Sequence, residues 1–183
     1  INITFQQADA ESLSFPDQAF DVVTCRLGVM FFPNVGKALL GIRRVLKPGG
    51  RAAFVAWGPS EQKPDTRIPQ DILKMYGQVP PSGPGVPNPY RFGQAGTLSA
   101  ALRDAGFRQV QEDSHAVLYP WPGPPEQYWE YRQQEGPIPR LLERLAPDQR
   151  DQVGAEVIEA IRQYYDGQQV NFTAVIVVAS GVR

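Results

Sequence analysis

Asp9, Ala10 and Glu11 directly follow an extended, β-prone segment in which Ile3 and Phe5 alternate with Asn2 and Thr4. A carboxylate at the carboxyl end of a strand can accept from an exocyclic amine or a ribose hydroxyl. Neighbouring backbone N–H groups can donate to a ring nitrogen. In open parallel sheets, ligands sit outside the carboxyl ends of the strands. Asp9 and Ala10 are therefore candidates for holding a nucleoside. Against this stands the ordinary use of Asp after a strand, which is to serve its own turn. Glu11 reads as a solvated loop residue. Arg26 and Leu27 close the next apolar run and occupy the same kind of strand end. Arg26 would either hold a ligand or form a structural ion pair.

Met30, Phe31 and Phe32 make an apolar turn after that run. The turn serves either the core or a ligand, and a positively charged group beside an aromatic face is favourable. Trp57 closes a further strand and is a candidate pocket wall. Tyr90, Arg91 and Phe92 follow a proline-rich loop and are candidates for a lid. Cys25 has no nearby His to act as a base and reads as packing rather than as a nucleophile. The single histidine, His115, lies within a late strand and reads as structural. Tyr128, Trp129 and Tyr131 have helical spacing, and packing is their default role. No metal site is expected.

These residues need a frame. The run "FDVVTC" (20–25) is almost continuously apolar, as in a strand covered on both faces. Residues 34–47 place Val35, Ala38, Leu39, Ile42, Val45 and Leu46 on one helical face. Asn34 is the expected N-cap, and Pro48-Gly49-Gly50 the expected stop. The strand 51–57 follows. Strand, helix and strand with short joints predict two parallel strands and a right-handed crossover. Beyond them, a short helix is expected at 67–77, a stiff loop at 79–89 and a helix over 97–107 with Gly106 at its left-handed cap. Strands are expected at 107–119 and 169–180, on either side of a helical block at 124–165. The sheet is expected to be mixed, with 3–6, 20–25 and 51–57 parallel, joined by 169–180 and an antiparallel neighbour at 107–119.

The chain has 183 residues, enough for one domain with a real core. Lys+Arg 18 against Asp+Glu 19 leaves a net charge of −1, which argues against a nucleic-acid binder. One cysteine excludes an internal disulfide and suits a reducing, cytoplasmic compartment. No run is long enough to span a bilayer, so no membrane partner is expected.

The segment "ADAESLSFPDQAFDVVTC", followed by "RLGVMFFP" and "ALLGIRRVLKPGGRAAF", resembles the class I S-adenosylmethionine-dependent methyltransferases of the type 11 group. The resemblance is dense over 5–57 and weaker through "LRDAGF" and the last strand. It implies a Rossmann-like α/β fold, S-adenosylmethionine as cofactor, and a small-molecule O, N or C nucleophile as methyl acceptor. It implies that Asp9 meets the adenine amine, Ala10 offers its amide to the ring, and Arg26 and Leu27 line the transfer channel. Met30, Phe31, Trp57 and Phe92 would form the acceptor pocket, under cap insertions at 58–93 and 120–167. The family pattern opens with a strand, a glycine-rich turn and a second strand. Here the resemblance begins at the third strand, so residues 1–183 read as the later two-thirds of one methyltransferase domain. Further chain or a second copy is expected to complete the sheet, or residues 1–8 to pair elsewhere. A non-catalytic interaction module is the alternative reading. A nicotinamide-dependent enzyme is a third, for which the Gly-x-Gly-x-x-Gly turn is absent from these residues.

Overall fold

Every strand in the sheet has a length and a neighbour set by where the chain can find a hydrogen-bonding partner. A computed structural model describes residues 2–80, 83 and 86–183. The four strands are β1 (Phe20–Arg26), β2 (Leu46–Trp57), β3 (Arg108–Pro122) and β4 (Gln169–Val182), in the order β1-β2-β4-β3. β1 and β2 are parallel, with Val22 opposite Arg51 and Arg26 opposite Val55. β4 runs antiparallel to β2, from Arg51 opposite Val182 to Trp57 opposite Ile176. The helices are α1 (Val35–Val45), α2 (Pro64–Met75), α3 (Thr97–Asp104), α4 (Pro125–Arg132), α5 (Ile138–Leu142) and α6 (Pro147–Arg162). This is an α/β architecture with a mixed, open sheet. No helix among the described residues is long and apolar enough to cross a membrane.

The chain forms two compact units. The first comprises 1–58, 87–115 and 176–183. Its core joins Leu39, Ile42 and Leu46 to Ala52, Phe54 and Ala56 of β2, and to Leu98, Leu102 and Phe107. The connection from β1 through α1 to β2 follows the expected pattern. Asn34 caps α1, its Oδ1 accepting from the Lys37 N–H at 2.9 Å. Gly50 permits the approach of β2 to β1: a Cβ there would lie 2.9 Å from the carbonyl oxygens of Asp21 and Lys47. The register of the pair is broken at the same place, between Phe20 and Val22. Gly106 takes the left-handed conformation (φ 83°) just after α3, as its sequence position requires.

The second unit comprises 59–86 and 116–175. Its core is built from Ile72 and Leu73 of α2, Tyr128 and Trp129 of α4, Val153, Val157 and Ile161 of α6, and Val170 and Phe172 of β4. Gly154 lets α6 close on α4, because a Cβ there would lie 2.9 Å from Trp129 Nε1.

Four expectations are corrected. Residues 2–8 form no strand and are exposed, Ile3 by 69% and Phe5 by 93%. Their alternating pattern is β-prone, but a strand exists only where a neighbour takes up its backbone groups. The run 20–25 is not covered on both faces: β1 is the edge strand of the sheet and Val22 is 58% exposed. Pro48-Gly49-Gly50 does not end α1. The helix stops at Val45, and those three residues lie inside β2. Glu11 is not a free loop residue, as described below. Of the proline-rich loop 79–89, residues 81, 82, 84 and 85 lie outside the described residues.

Candidate cofactor and acceptor site

Asp9 stands at the head of a 3-10 turn, Ala10–Ser12, with extended backbone (φ −88°, ψ 128°). Its Oδ1 accepts from the Glu11 N–H at 2.9 Å, and its Oδ2 accepts from the Ser12 hydroxyl at 3.2 Å. The short side chain thus fixes its own turn. Each carboxylate oxygen retains a second acceptor direction, and Asp9 is exposed. The turn is also anchored. Glu11 Oε1 accepts from the Asn34 N–H at 2.6 Å, immediately before α1. A Cβ on Gly41 of α1 would meet the Ala10 carbonyl at 3.6 Å, so the turn lies close along the helix. The Glu11 contact spans 23 residues, and nothing in the local pattern marks it.

At the carboxyl end of β1 the backbone is strained. Leu27 has φ 54°, a left-handed conformation that costs an L-residue roughly 1–2 kcal/mol. It is held there by its own N–H, which donates to the Val55 carbonyl of β2 at 2.8 Å. Strain of this kind persists only where the surroundings over-determine it, and it concentrates at ligand sites. Gly28 follows, and a Cβ there would lie 2.9 Å from Cys25 Sγ. Arg26 is exposed. Burial pushes the Cys25 thiol up, and the backbone of Gly28 and Val29 only partly offsets this. The protonated thiol is a poor nucleophile.

The turn Val29–Phe31 splits the apolar candidates. Met30 is 2% exposed and belongs to the core, whereas Phe31 is 50% exposed. Trp57, at the end of β2, is half-buried and packs against the same core. Phe92 is buried within it. The segment carrying Phe92 is tied down by Arg91, whose Nη1 donates to the Phe32 carbonyl at 2.7 Å. Leu27, Met30, Trp57 and Phe92 therefore share one cluster. Of the four residues assigned to the acceptor pocket from sequence, Met30 and Phe92 are core residues. Phe31 and Trp57 keep surface. An open cleft of about 270 Å³ lies between α1 and α3, lined by Val35, Leu40, Arg91, Phe92, Ala101 and Asp104 among others. Among the described residues, no group of three or more His, Cys, Asp or Glu is placed to hold a metal ion.

Residues 1–54 match a family model described as a methyltransferase domain. Over 54 residues the chain is 50% identical to the "Uncharacterized methyltransferase YcgJ" of Bacillus subtilis, a match covering 30% of this chain and 21% of that protein. Over 122 residues it is 35% identical to the ubiquinone/menaquinone biosynthesis C-methyltransferase UbiE of Ectopseudomonas mendocina, covering 60% of this chain and 46% of that one. The chain thus spans less than half the length of these curated relatives. The crystal structure of the Bacillus YcgJ protein superimposes with a TM-score of 0.54 at 21% identity, covering 100% of this chain and 72% of that structure. Residues 1–54 thus carry the sequence pattern of a methyltransferase domain, and the described residues share the fold of the YcgJ structure.

Proposed function

We propose that this chain provides the nucleoside-binding turn and the acceptor-selecting part of an S-adenosylmethionine-dependent methyltransferase acting on a small-molecule nucleophile. The carrying observation is the anchored acidic turn. Asp9 is exposed, its backbone is set by its own side chain, and Glu11 ties the turn to the start of α1. A fixed, acceptor-only carboxylate suits an exocyclic amine. The strained Leu27 at the end of β1 is a second point of support.

The residues fit the cofactor. Asp9 would hold the adenine amine, the Ala10 amide the ring, and Arg26 and Leu27 the neighbouring part of the ligand. The cofactor, when bound, supplies an activated methyl group on a sulfonium. The chain's own part is positioning and exclusion of water, which account for much of the acceleration in such a transfer. Phe31, 50% exposed, offers an aromatic surface for that. UbiE, the relative above, is a C-methyltransferase, so carbon acceptors are the first to assay.

Calorimetry with S-adenosylhomocysteine tests the reading. Asp9→Ala removes an acceptor from the adenine amine, a loss of about 1–3 kcal/mol. Affinity is expected to fall by about ten- to a hundredfold. Unchanged affinity would show that the adenine is read elsewhere. A second reading, a non-catalytic interaction module, draws on the exposed apolar residues Ile3, Phe5 and Val22. It would be favoured by a protein that binds neither S-adenosylmethionine nor S-adenosylhomocysteine.

A further inference from the structure

The segment between the acidic turn and β1 has no regular structure of its own. Residues 13–19 form neither helix nor strand, yet Leu13 and Phe15 are half-buried. Leu13 packs against the core of the first unit, and the Phe15 ring meets Phe20 edge-on at 5.0 Å. Backbone carbonyls drawn towards a core need donors, and an irregular segment cannot supply them all from within. One side chain supplies them here. Arg44, in the last turn of α1, donates from Nη2 to the Leu13 carbonyl at 2.6 Å and from Nη1 to the Phe15 carbonyl at 2.9 Å. Nη1 also reaches Asp17 Oδ1 at 2.6 Å. The Arg44 carbonyl accepts from the Gln18 N–H at 3.1 Å, where Gln18 takes a left-handed backbone (φ 58°).

That loop begins where the acidic turn ends. Ser12 donates its N–H to the Asp9 carbonyl at 3.1 Å and its hydroxyl to Asp9 Oδ2 at 3.2 Å. On the other side of Asp9 there is little to hold it. Residues 2–8 form no helix or strand and are exposed, and the hydrogen bond from Gln6 Nε2 to Ser14 Oγ is long at 3.5 Å. The place of Asp9 is therefore set from downstream, along α1. Glu11 meets the Asn34 N–H, the Ala10 carbonyl lies beside Gly41, and Arg44 holds the loop that follows. Asn34 and Arg44 stand about 15 Å apart on the helix, so a clamp at each end fixes both the place and the direction of the segment. The Arg44–Asp17 pair is largely exposed and adds little. The bonds to the two carbonyls use the flat fork of the guanidinium, which a lysine does not reproduce.

We infer that Arg44 is a positioning residue for the cofactor turn. Through the Leu13 and Phe15 carbonyls it sets where Asp9 presents its carboxylate, without itself touching the ligand. The methyltransferase reading enters only in naming what Asp9 holds. The placement of the turn is independent of it.

Amide exchange and calorimetry with S-adenosylhomocysteine, both on the 183-residue chain, test this role. Arg44→Met keeps the apolar stem and removes the donors; Arg44→Lys keeps the charge and removes the fork. Both are expected to speed exchange over residues 10–18 by about tenfold, the worth of one hydrogen bond, and to weaken S-adenosylhomocysteine by a similar factor. Arg43→Met is the control. Arg43 Nε donates to the Gly106 carbonyl at 3.0 Å from the same turn of α1, so its loss removes a like bond and leaves the loop alone. It should move neither readout. A cycle with Asp9→Ala separates positioning from general stability: Arg44→Lys should add no further loss of affinity once the Asp9 carboxylate is gone. The inference is overturned if exchange over 10–18 is unmoved in Arg44→Lys, if Arg43→Met loosens the segment as much, or if the affinity losses of Arg44→Lys and Asp9→Ala simply add. Failure of the cofactor reading looks different. A parent chain that does not bind S-adenosylhomocysteine, or an Asp9→Ala variant that binds it unchanged, sinks that reading, and exchange over 10–18 then decides the role of Arg44 alone.

Discussion

Tyr76 Oη donates to Glu156 Oε1 at 2.7 Å, joining α2 to α6. The bond, with the nearby carboxylate charge, holds the phenol pKa up to about 12. An unfolded tyrosine titrates near ~10. The native state therefore keeps a proton that the unfolded chain releases first. The stabilisation is fully present below about pH 10 and is lost between about pH 10 and 12. Tyr76→Phe should lower the melting temperature at neutral pH and flatten the alkaline decline across that window. Equal slopes for both proteins would show that the bond does not survive in solution. At this scale the sequence was partly legible. Asp9 and Asn34 were readable because each serves a turn or helix within three residues of itself. Glu11 was not, because its partner lies on another element. The Lys63–Asp65 pair is local, but its burial depends on the packing of the second unit and no sequence pattern marks it.

Elements show how one segment supplies what another lacks. α3 begins after Gly96, whose left-handed backbone (φ 85°) and missing side chain offer no cap. The free N–H groups are met from β3 instead. Glu112 Oε1 accepts from the Gly96 N–H at 2.5 Å, and Oε2 accepts from the Ser99 N–H at 2.6 Å. A carboxylate at a helix N-terminus also meets the positive end of the helix dipole. Glu112→Ala should cost about 1–2 kcal/mol in denaturant unfolding, the usual worth of a cap. Glu112→Gln, which can still accept, should cost less. If the two variants are equally stable and match the parent, the cap is dispensable. Element types were readable wherever periodicity and breakers agreed, as in α1, α3 and β4. Boundaries were less so. Pro48-Gly49-Gly50 reads as a helix stop, but Gly50 is needed inside β2 for the approach to β1. The alternation at 3–6 promised a strand, yet strand formation depends on a neighbour that no local pattern can guarantee.

For the molecule as a whole, the outer edge of β1 carries the largest consequence. β1 ends the sheet, and Val22 on it is 58% exposed. Just upstream, Ile3 and Phe5 are exposed without a pairing strand. An open edge beside apolar residues is a template for pairing with another chain, and natural edge strands are commonly blunted with charge, especially lysine. The net charge of −1 gives little electrostatic repulsion between copies. The 183-residue chain should therefore self-associate as its concentration rises. Val22→Lys places a charge at the centre of that edge and should shift the chain towards monomer. Phe5→Ser should act in the same direction if the upstream segment joins the contact. Neither position is in the core, so circular dichroism and melting should change little. Sedimentation velocity over a concentration series decides the matter. A parent chain that stays monomeric throughout, or association unmoved by Val22→Lys, would show that the edge is protected in solution and that any self-contact lies elsewhere.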